Sequence, residues 1–426
     1  MIFTKRALTL LSLSVVCANA FGAGEIFSNQ SSDRRVPQLN AMTTAKRGTV
    51  APTGGFWSEV QNDAGNTTES NTNAGSNVAY FAANPHFRLA DDFTVGDCYF
   101  VVDKVSVFSY QTGATAAPFL GGNVNFWTAS PTEGGTPLHM FGGNGVALPS
   151  VVTDVIQATP TTTGNIYRIF NSSFPAPGTA PGTTRKVWQV TMTLPNEVEF
   201  QTGSYWIDWQ LITVTGAGSA FTPSTTHEGM RGVAGANGRQ RVYDAVNLVH
   251  FWQDLIDAGN PATAPDVPQD TPFILHGKWK CYPTGATTNG ELFTGNLASL
   301  KASDDNYMRF FNNSDDLTCV NDFTAESPTT TATEIVVMTE MSVTRPGLEY
   351  IISVFNYSTN SFEPIAGDLA STSDTTFSGT LNTNASNYVS GGDVTVQVAF
   401  GPTNDEDPSQ DGWLHNFDVV CWTIED

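Results

Sequence analysis

The chain has 426 residues, of which 41 are acidic and 19 are basic, so its net charge near neutral pH is −22. This acidic balance argues against nucleic acids and anionic membranes as partners, because both would repel it. Charged residues make up only 14% of the chain and hydrophobic residues 40%, so the chain can bury large cores and spreads its acidity thinly.

The first 20 residues have the layout of a secretory signal peptide. Lys5 and Arg6 form a basic start, Ala7–Val16 is apolar, and the last three residues, ending at Ala20, are small-x-small. Cleavage after Ala20 removes Cys17, whereas lipidation of Cys17 is an alternative with a poor match in the preceding residues. No later apolar stretch reaches the roughly 18 residues that a spanning helix needs, so we expect a secreted protein, extracellular or periplasmic.

Residues 21–55 are polar and irregular, and we expect a tail or a loosely held first strand there. From Phe56 onward, short apolar runs alternate with clusters of Gly, Pro, Asn and Asp, which is typical of strands joined by turns. In Tyr205–Leu211 the odd-numbered residues share one face and the even-numbered residues the other, and Val394–Phe400 alternates in the same way. The one helical candidate is Leu248–Asp257, which also fits a strand and a turn.

Many short strands without alternating helices predict an all-β protein of two jelly-roll-like β-sandwich modules. We place the first module at 56–282, a short linker at 283–290 and the second module at 291–426. Beyond Pro283, the linker has no apolar side chain larger than alanine.

Several segments resemble modules of uncharacterised secreted bacterial proteins. In the first module these segments are Leu89–Val95 (LADDFTV), Tyr110–Gly113 (YQTG), Tyr205–Gln210 (YWIDWQ) and Pro272–Gly277 (PFILHG). In the second module they are Gly295–Asp305 (GNLASLKASDD), Phe355–Tyr357 (FNY) and Asp418–Ile424 (DVVCWTI). The resemblance implies a jelly-roll-like sandwich and bacterial export, and it carries no known catalytic residues.

Four cysteines remain after removal of the signal peptide: Cys98, Cys281, Cys319 and Cys421. An exported chain with an even count favours disulfides, and four cysteines permit three connectivities. Pairing Cys98 with Cys281 and Cys319 with Cys421 keeps each bridge inside one module. Buried free thiols are the alternative.

Acidic turns are candidate calcium sites, because calcium takes six to eight oxygen ligands from carboxylates, amides and carbonyls. The alternative is that these side chains cap the backbone amides of turns. The candidate ligands are Asp91, Asp92, Asp304, Asp305, Asp405, Asp407 and Asp411.

Tryptophans are candidates for stacking on sugar rings, although most tryptophans of such a chain belong to hydrophobic cores. Trp206 lies on the face opposite Tyr205, and the other candidates lie near turns. The candidate stacking residues are Trp127, Trp206, Trp252 and Trp413.

No catalytic residue is assigned, since neither an HExxH nor a GxSxG motif is present. His227, Glu228 and Asp208 could act as an acid–base set if the fold brought them together. We therefore expect a secreted non-catalytic structural or interaction protein of the bacterial extracellular matrix or surface. The alternatives are a calcium-supported carbohydrate-binding protein with an aromatic platform and, third, an extracellular hydrolase. Expected partners are extracellular glycans or other surface proteins, with no cofactor other than calcium.

Overall fold

The computed structural model describes residues 24–27, 42–43, 45–46, 49–50, 56–58, 72–73, 75–80, 87–96, 98–132, 135–141, 156–161, 166–168, 184–214, 218–225, 231–247, 249–312, 318–402 and 412–425. Over these ranges the protein is all-β, as predicted, and its helical segments are two 3₁₀ turns, Leu297–Leu300 and Ala385–Tyr388.

The strands are numbered in chain order. The first sixteen are β1 (Gly24–Phe27), β2 (Met42–Thr43), β3 (Ala45–Lys46), β4 (Thr49–Val50), β5 (Phe56–Ser58), β6 (Ser76–Asn77), β7 (Ala79–Tyr80), β8 (Arg88–Val95), β9 (Tyr99–Tyr110), β10 (Phe119–Trp127), β11 (Pro137–Phe141), β12 (Ile156–Thr161), β13 (Ile166–Arg168), β14 (Val187–Phe200), β15 (Gly203–Thr213) and β16 (Phe221–Thr222). The others are β17 (Arg239–Asp244), β18 (Val249–Asp254), β19 (Ile256–Asp257), β20 (Val267–Pro268), β21 (Phe273–Cys281), β22 (Gly285–Thr288), β23 (Glu291–Thr294), β24 (Met308–Asn312), β25 (Cys319–Glu326), β26 (Glu334–Val343), β27 (Leu348–Asn356), β28 (Ser361–Leu369), β29 (Thr375–Leu381), β30 (Asp393–Pro402) and β31 (Trp413–Glu425).

A front sheet carries the residues of most interest for function. Its strands run in the order β11–β10–β15–β8–β17–β18, and every neighbouring pair is antiparallel. One face packs on β14 and β21, where the Phe93 ring lies 5.2 Å from Phe200 and 6.4 Å from Phe273. Because strand residues alternate between faces, the core takes the odd-numbered residues of Tyr205–Leu211, as predicted, and Trp206, Asp208 and Gln210 occupy the other face.

A shared sheet crosses the whole protein. Strands β12, β14, β9 and β21 pair in that order, and β31 then pairs with β21, β24 and β26. The residues Trp279, Lys280 and Cys281 of β21 lie opposite Ile424, Thr423 and Trp422 of β31. The strand β31 of the second half of the fold thus continues the sheet of the first half.

A rear sheet covers the second half, with the strand order β22–β25–β30–β27–β28. Its Phe323 and Phe400 rings pack on Phe417 of β31, at 5.1 and 6.0 Å between ring centroids. One continuous cluster of buried apolar residues runs through both halves.

The structure differs from two expectations about local structure. Strand β22 lies within 283–290, the segment predicted as a linker, because its backbone pairs with β25 of the rear sheet. The helical candidate Leu248–Asp257 is instead the strand β18 followed by β19, since the backbone of β18 pairs along its full length with β17. Within residues 21–55, where a tail or a loosely held first strand is expected, β1 pairs with β21.

Candidate functional site

The front sheet has a second face, opposite the hydrophobic core. This face carries polar and aromatic side chains, most of which are buried. Cross-strand pairs place Trp127 against Trp206, Asn125 against Asp208 and Asn123 against Gln210. The next two strands add arginines: Arg88 lies on β8, and Arg239 and Arg241 lie on β17. The tryptophan face, as we call this surface, consists of Trp127, Trp206, Trp252, Arg88, Arg239, Arg241, Asp208, Asn123, Asn125 and Gln210.

Asp208 is the centre of a buried hydrogen-bond network on this face. It accepts a hydrogen bond from Arg88 Nε, and its Oδ1 is ion-paired with Nη2 of the same arginine. It also accepts from Asn125 Nδ2 at 3.0 Å and from Trp127 Nε1 at 2.6 Å. Because the carboxylate is paired and fully hydrogen-bonded, its burial is tolerated, and it holds the indole of Trp127 in one orientation.

Three of the four tryptophans proposed for sugar stacking meet on this face. Trp127 and Trp206 pack around Ala90, and the partly buried Trp252 packs against them from β18. Only 7% of Trp127 and 9% of Trp206 is exposed, so Trp252 is the most accessible ring of the three. The guanidinium of Arg239 lies 5.9 Å from the centre of the Trp206 ring.

The fourth candidate, Trp413, is not a surface residue. It lies on β31 inside the second half of the fold, 5.9 Å from the Phe400 ring and 5.1 Å from the His415 ring. It is buried because, as the first residue of β31, it lies on the face of this strand that alternates into the core. Stacking of Trp413 on a ligand stays a prediction, which this burial does not favour.

Arg88, Arg239 and Arg241 were missed in the sequence. The alternation of β8 and β17 places them on the same side as Trp206, but only the cross-strand register brings the two strands together. An arginine in an alternating strand is usually solvated, so its burial has no signal in the sequence.

Asp91 and Asp92 lie beside a third carboxylate, Asp270. Asp91 Oδ2 accepts from the backbone N–H of Thr271 at 2.6 Å, and Asp270 Oδ1 accepts from the N–H of Asn237 at 2.6 Å. Burial raises the pKa of Asp91 well above its usual value, and the charge of Asp270 raises it further. Burial likewise raises the pKa values of Asp270 and Asp92. These carboxyl groups hold turn amides, which is the alternative considered for the acidic turns.

Asp304 and Asp305 lie on an exposed turn before β24. Asp304 Oδ1 accepts from the N–H of Asn306 at 3.1 Å, and Asp305 Oδ1 accepts from the Tyr307 hydroxyl at 3.0 Å. Among the residues that the structure describes, no group of three or more His, Cys, Asp or Glu side chains could hold a metal ion. The other candidate ligands, Asp405, Asp407 and Asp411, lie outside the described residues.

The four cysteines are buried, and none of them forms a disulfide in this structure. The sulfurs of Cys98 and Cys281 are 2.6 Å apart, and the Cys98 thiol donates to the carbonyl oxygen of Glu326 at 3.2 Å. A bridge between Cys98 and Cys281 stays a prediction that this juxtaposition favours.

The structure does not favour the predicted bridge between Cys319 and Cys421. Cys319 Sγ lies 3.5 Å from His415 Nε2. Cys421 lies six residues further along the strand that carries His415, which is roughly 20 Å at the rise of an extended chain. A disulfide needs Cα atoms within about 7 Å of each other.

Of the three residues considered as the acid–base set of a hydrolase, the structure describes only Asp208. His227 and Glu228 lie outside the described residues, and the carboxylate of Asp208 is ion-paired with Arg88. In the described part of the chain, no helix is long and apolar enough to cross a membrane.

No protein-family model and no curated protein matches this chain. Among solved structures, the chain is similar to the "CBM22-1-GH10 modules" of xylanase 10B from Clostridium thermocellum complexed with xylohexaose, at 13% identity, a TM-score of 0.26, and coverage of 34% of this chain and 28% of that one. TmCBM61 with β-1,4-galactotriose aligns at 12% identity over 34% of this chain and 91% of that one, with a TM-score of 0.22. Infectious bursal disease virus, Gx strain, aligns at 7% identity over 85% of this chain and 74% of that one, also at 0.22. The chain spans less than a third of the length of the xylanase structure.

Proposed function

We propose that this protein is a secreted, non-catalytic β-sandwich protein whose tryptophan face binds an extracellular carbohydrate. The observation that carries the proposal is the meeting of three tryptophans with a buried array of arginine, asparagine and aspartate side chains. Aromatic rings contact the apolar faces of sugars, and fixed polar groups beside them bind hydroxyls and set orientation. Export rests on the signal-like first 20 residues.

The first test is a glycan array probed with the purified protein, with and without calcium. We expect binding to a restricted set of glycans. Binding that survives chelation would separate carbohydrate recognition from the calcium predicted at the acidic turns. The absence of binding in both conditions would exclude the proposal.

The matched variant is Trp252→Ala. Because this ring is the most accessible of the three, its loss should weaken glycan binding about 10-fold or more while leaving the fold intact. Isothermal titration measures the affinity and circular dichroism the fold. Phe293→Ala is the control, since Phe293 is 57% exposed on β23 in the other half of the protein and should leave the affinity unchanged.

A second candidate function, assembly with other copies or surface proteins, is favoured by one observation. The hairpin of β17 and β18 exposes Val246, Val249 and Phe251, and β18 pairs only with β17 among the described strands. An apolar edge strand can add strands from another chain. Self-association in sedimentation experiments, combined with a blank glycan array, would favour this second function.

A further inference from the structure

On the tryptophan face, Arg241 is buried without a partner among the described residues. Arg241 lies on β17, opposite Arg88 of β8 on one side and opposite Trp252 of β18 on the other. It is only 7% exposed. Within the described ranges, its guanidinium has neither an ion pair nor a hydrogen-bond acceptor.

The other two arginines of the face are already neutralised. Arg88 binds Asp208, and Arg239 Nη1 lies 2.9 Å from Asp254 Oδ1. Asp208 attracts Arg241 from a distance, but its oxygens are taken by Arg88, Asn125 and Trp127. The tryptophan face therefore holds one cation more than its own paired carboxylates neutralise.

Burial, with the charge of Arg88, lowers the pKa of Arg241 to about 10. The side chain is thus still charged near neutral pH. A buried unpaired charge is costly, and this cost falls when an oxyanion takes the missing position. The planar guanidinium can bind a carboxylate or a sulfate group through two parallel hydrogen bonds.

We propose that Arg241 binds the carboxylate or sulfate group of an acidic saccharide whose ring lies against Trp252. This proposal rests on the proposed function, because it names the class of carbohydrate that the same face recognises. The net charge of the whole chain is −22, so such selectivity must arise from this local, desolvated cation and not from the overall field.

The experiment is isothermal titration of the intact protein with four probes. They are an oligogalacturonate, the same oligosaccharide as its methyl ester, cellohexaose and sulfated cellohexaose. The ester keeps the sugar skeleton and removes the charge, so the first two probes isolate the anion. Preference for the uronate or for the sulfate identifies which oxyanion the site takes.

We expect an acidic probe to bind about 10- to 100-fold more tightly than its neutral counterpart, the range of one charge-assisted contact. Arg241→Gln should abolish this preference and leave the neutral probes unaffected. The variant should also unfold at the same temperature as the parent or higher, because an unpaired buried charge is gone. Lys278→Gln, which breaks an ion pair with Glu197 on the shared sheet, is the control and should retain the preference.

The outcomes separate the two proposals. If none of the probes and no glycan on the array binds, the carbohydrate function itself is wrong. If glycans bind but acidic and neutral probes bind equally, or if Arg241→Gln keeps the preference, only the assignment of Arg241 is overturned.

Discussion

Single residues of this protein show how burial changes the chemistry of a side chain. Asp208, Arg241 and His415 are all buried, with different outcomes. Asp208 is ion-paired with Arg88, whereas Arg241 has no partner among the described residues and, with a pKa lowered to about 10, is still charged near neutral pH. His415 is desolvated in the core, which lowers its pKa to about 3 and keeps it neutral.

The pair Asp91 and Asp270 makes stability depend on pH. Burial raises both pKa values, so the folded protein binds protons more readily than the unfolded chain. The stabilisation from these protons is complete below the unfolded pKa of about 4 and is lost as the pH rises through the raised folded values. This pair therefore contributes less to stability at neutral pH than in mild acid.

Asp270→Asn should raise stability at pH 7 and reduce its pH dependence. Oδ1 of Asp270 binds the amides of Asn237 and Gly238, whereas Oδ2 has no donor. The asparagine amide keeps the acceptor oxygen, removes one negative charge and places an N–H donor near Asp91. We expect the free energy of unfolding at pH 7 to rise by about 1–3 kcal/mol. Urea unfolding from pH 4 to pH 8 measures the free energy of unfolding. Asp304→Asn, a substitution of an exposed aspartate, is the control. A lower free energy of unfolding at pH 7 would contradict the prediction.

At the scale of strands, the register determines which residues of different strands become neighbours, and the alternation within one strand does not show this. The repeat within Tyr205–Leu211 identifies two faces, and the structure shows that the odd-numbered residues form the inner one. The approach of Trp127 and Trp252 to Trp206 needed the pairing of strands far apart in sequence. The tryptophan face was thus predictable as separate candidates, and not as one surface. The burial of Trp413 was not predictable for a similar reason, because nearness to a turn in the sequence does not place a residue at the surface.

Strands β9 and β21 bring Cys98 and Cys281 into contact. The register of Tyr99 with Lys280 continues to these two residues, just at the start of β9 and the end of β21. Peptide mapping of non-reduced protein from an oxidising medium should find Cys98 linked to Cys281, and Cys319 and Cys421 free. Since the bridge would close a loop of more than 100 residues, its reduction should cost about 4–5 kcal/mol in the chain-entropy model. Any bridge between Cys319 and Cys421 would contradict the structure.

At the scale of the molecule, the amino-acid composition marks a boundary between the two halves near Pro283, but the sheet continues across it. Backbone pairing between β21 and β31 crosses it, and the buried apolar cluster includes Trp279 of the first half and Trp422 of the second. A sequence shows where apolar runs end, and it does not show that two sheets will join at their edges. The all-β class was therefore predictable, whereas the continuity between the halves was not.

Production of residues 21–282 and 283–426 as separate chains should give aggregated or oligomeric products. Each would expose the strand edge that its partner covers, and the buried Trp422 would lose part of its packing. Co-production should yield a complex that copurifies and elutes at the size of the intact chain. Size-exclusion chromatography measures both. Two stable monomers from separate production would show that the pairing of β21 with β31 is dispensable.

The pairing of β1 with β21 has a consequence for the order in which the fold can be completed. Gly24 of β1 lies opposite Gly277 of β21, so β1, the first of the described strands, finds its partner only about 250 residues later. Until β21 emerges, Ile26 and Phe27 have no native strand to pair with. Closing this contact late makes folding slow relative to proteins dominated by local contacts. On the nascent chain, β1 would therefore need protection from other partners until β21 is made, and chaperones provide such protection.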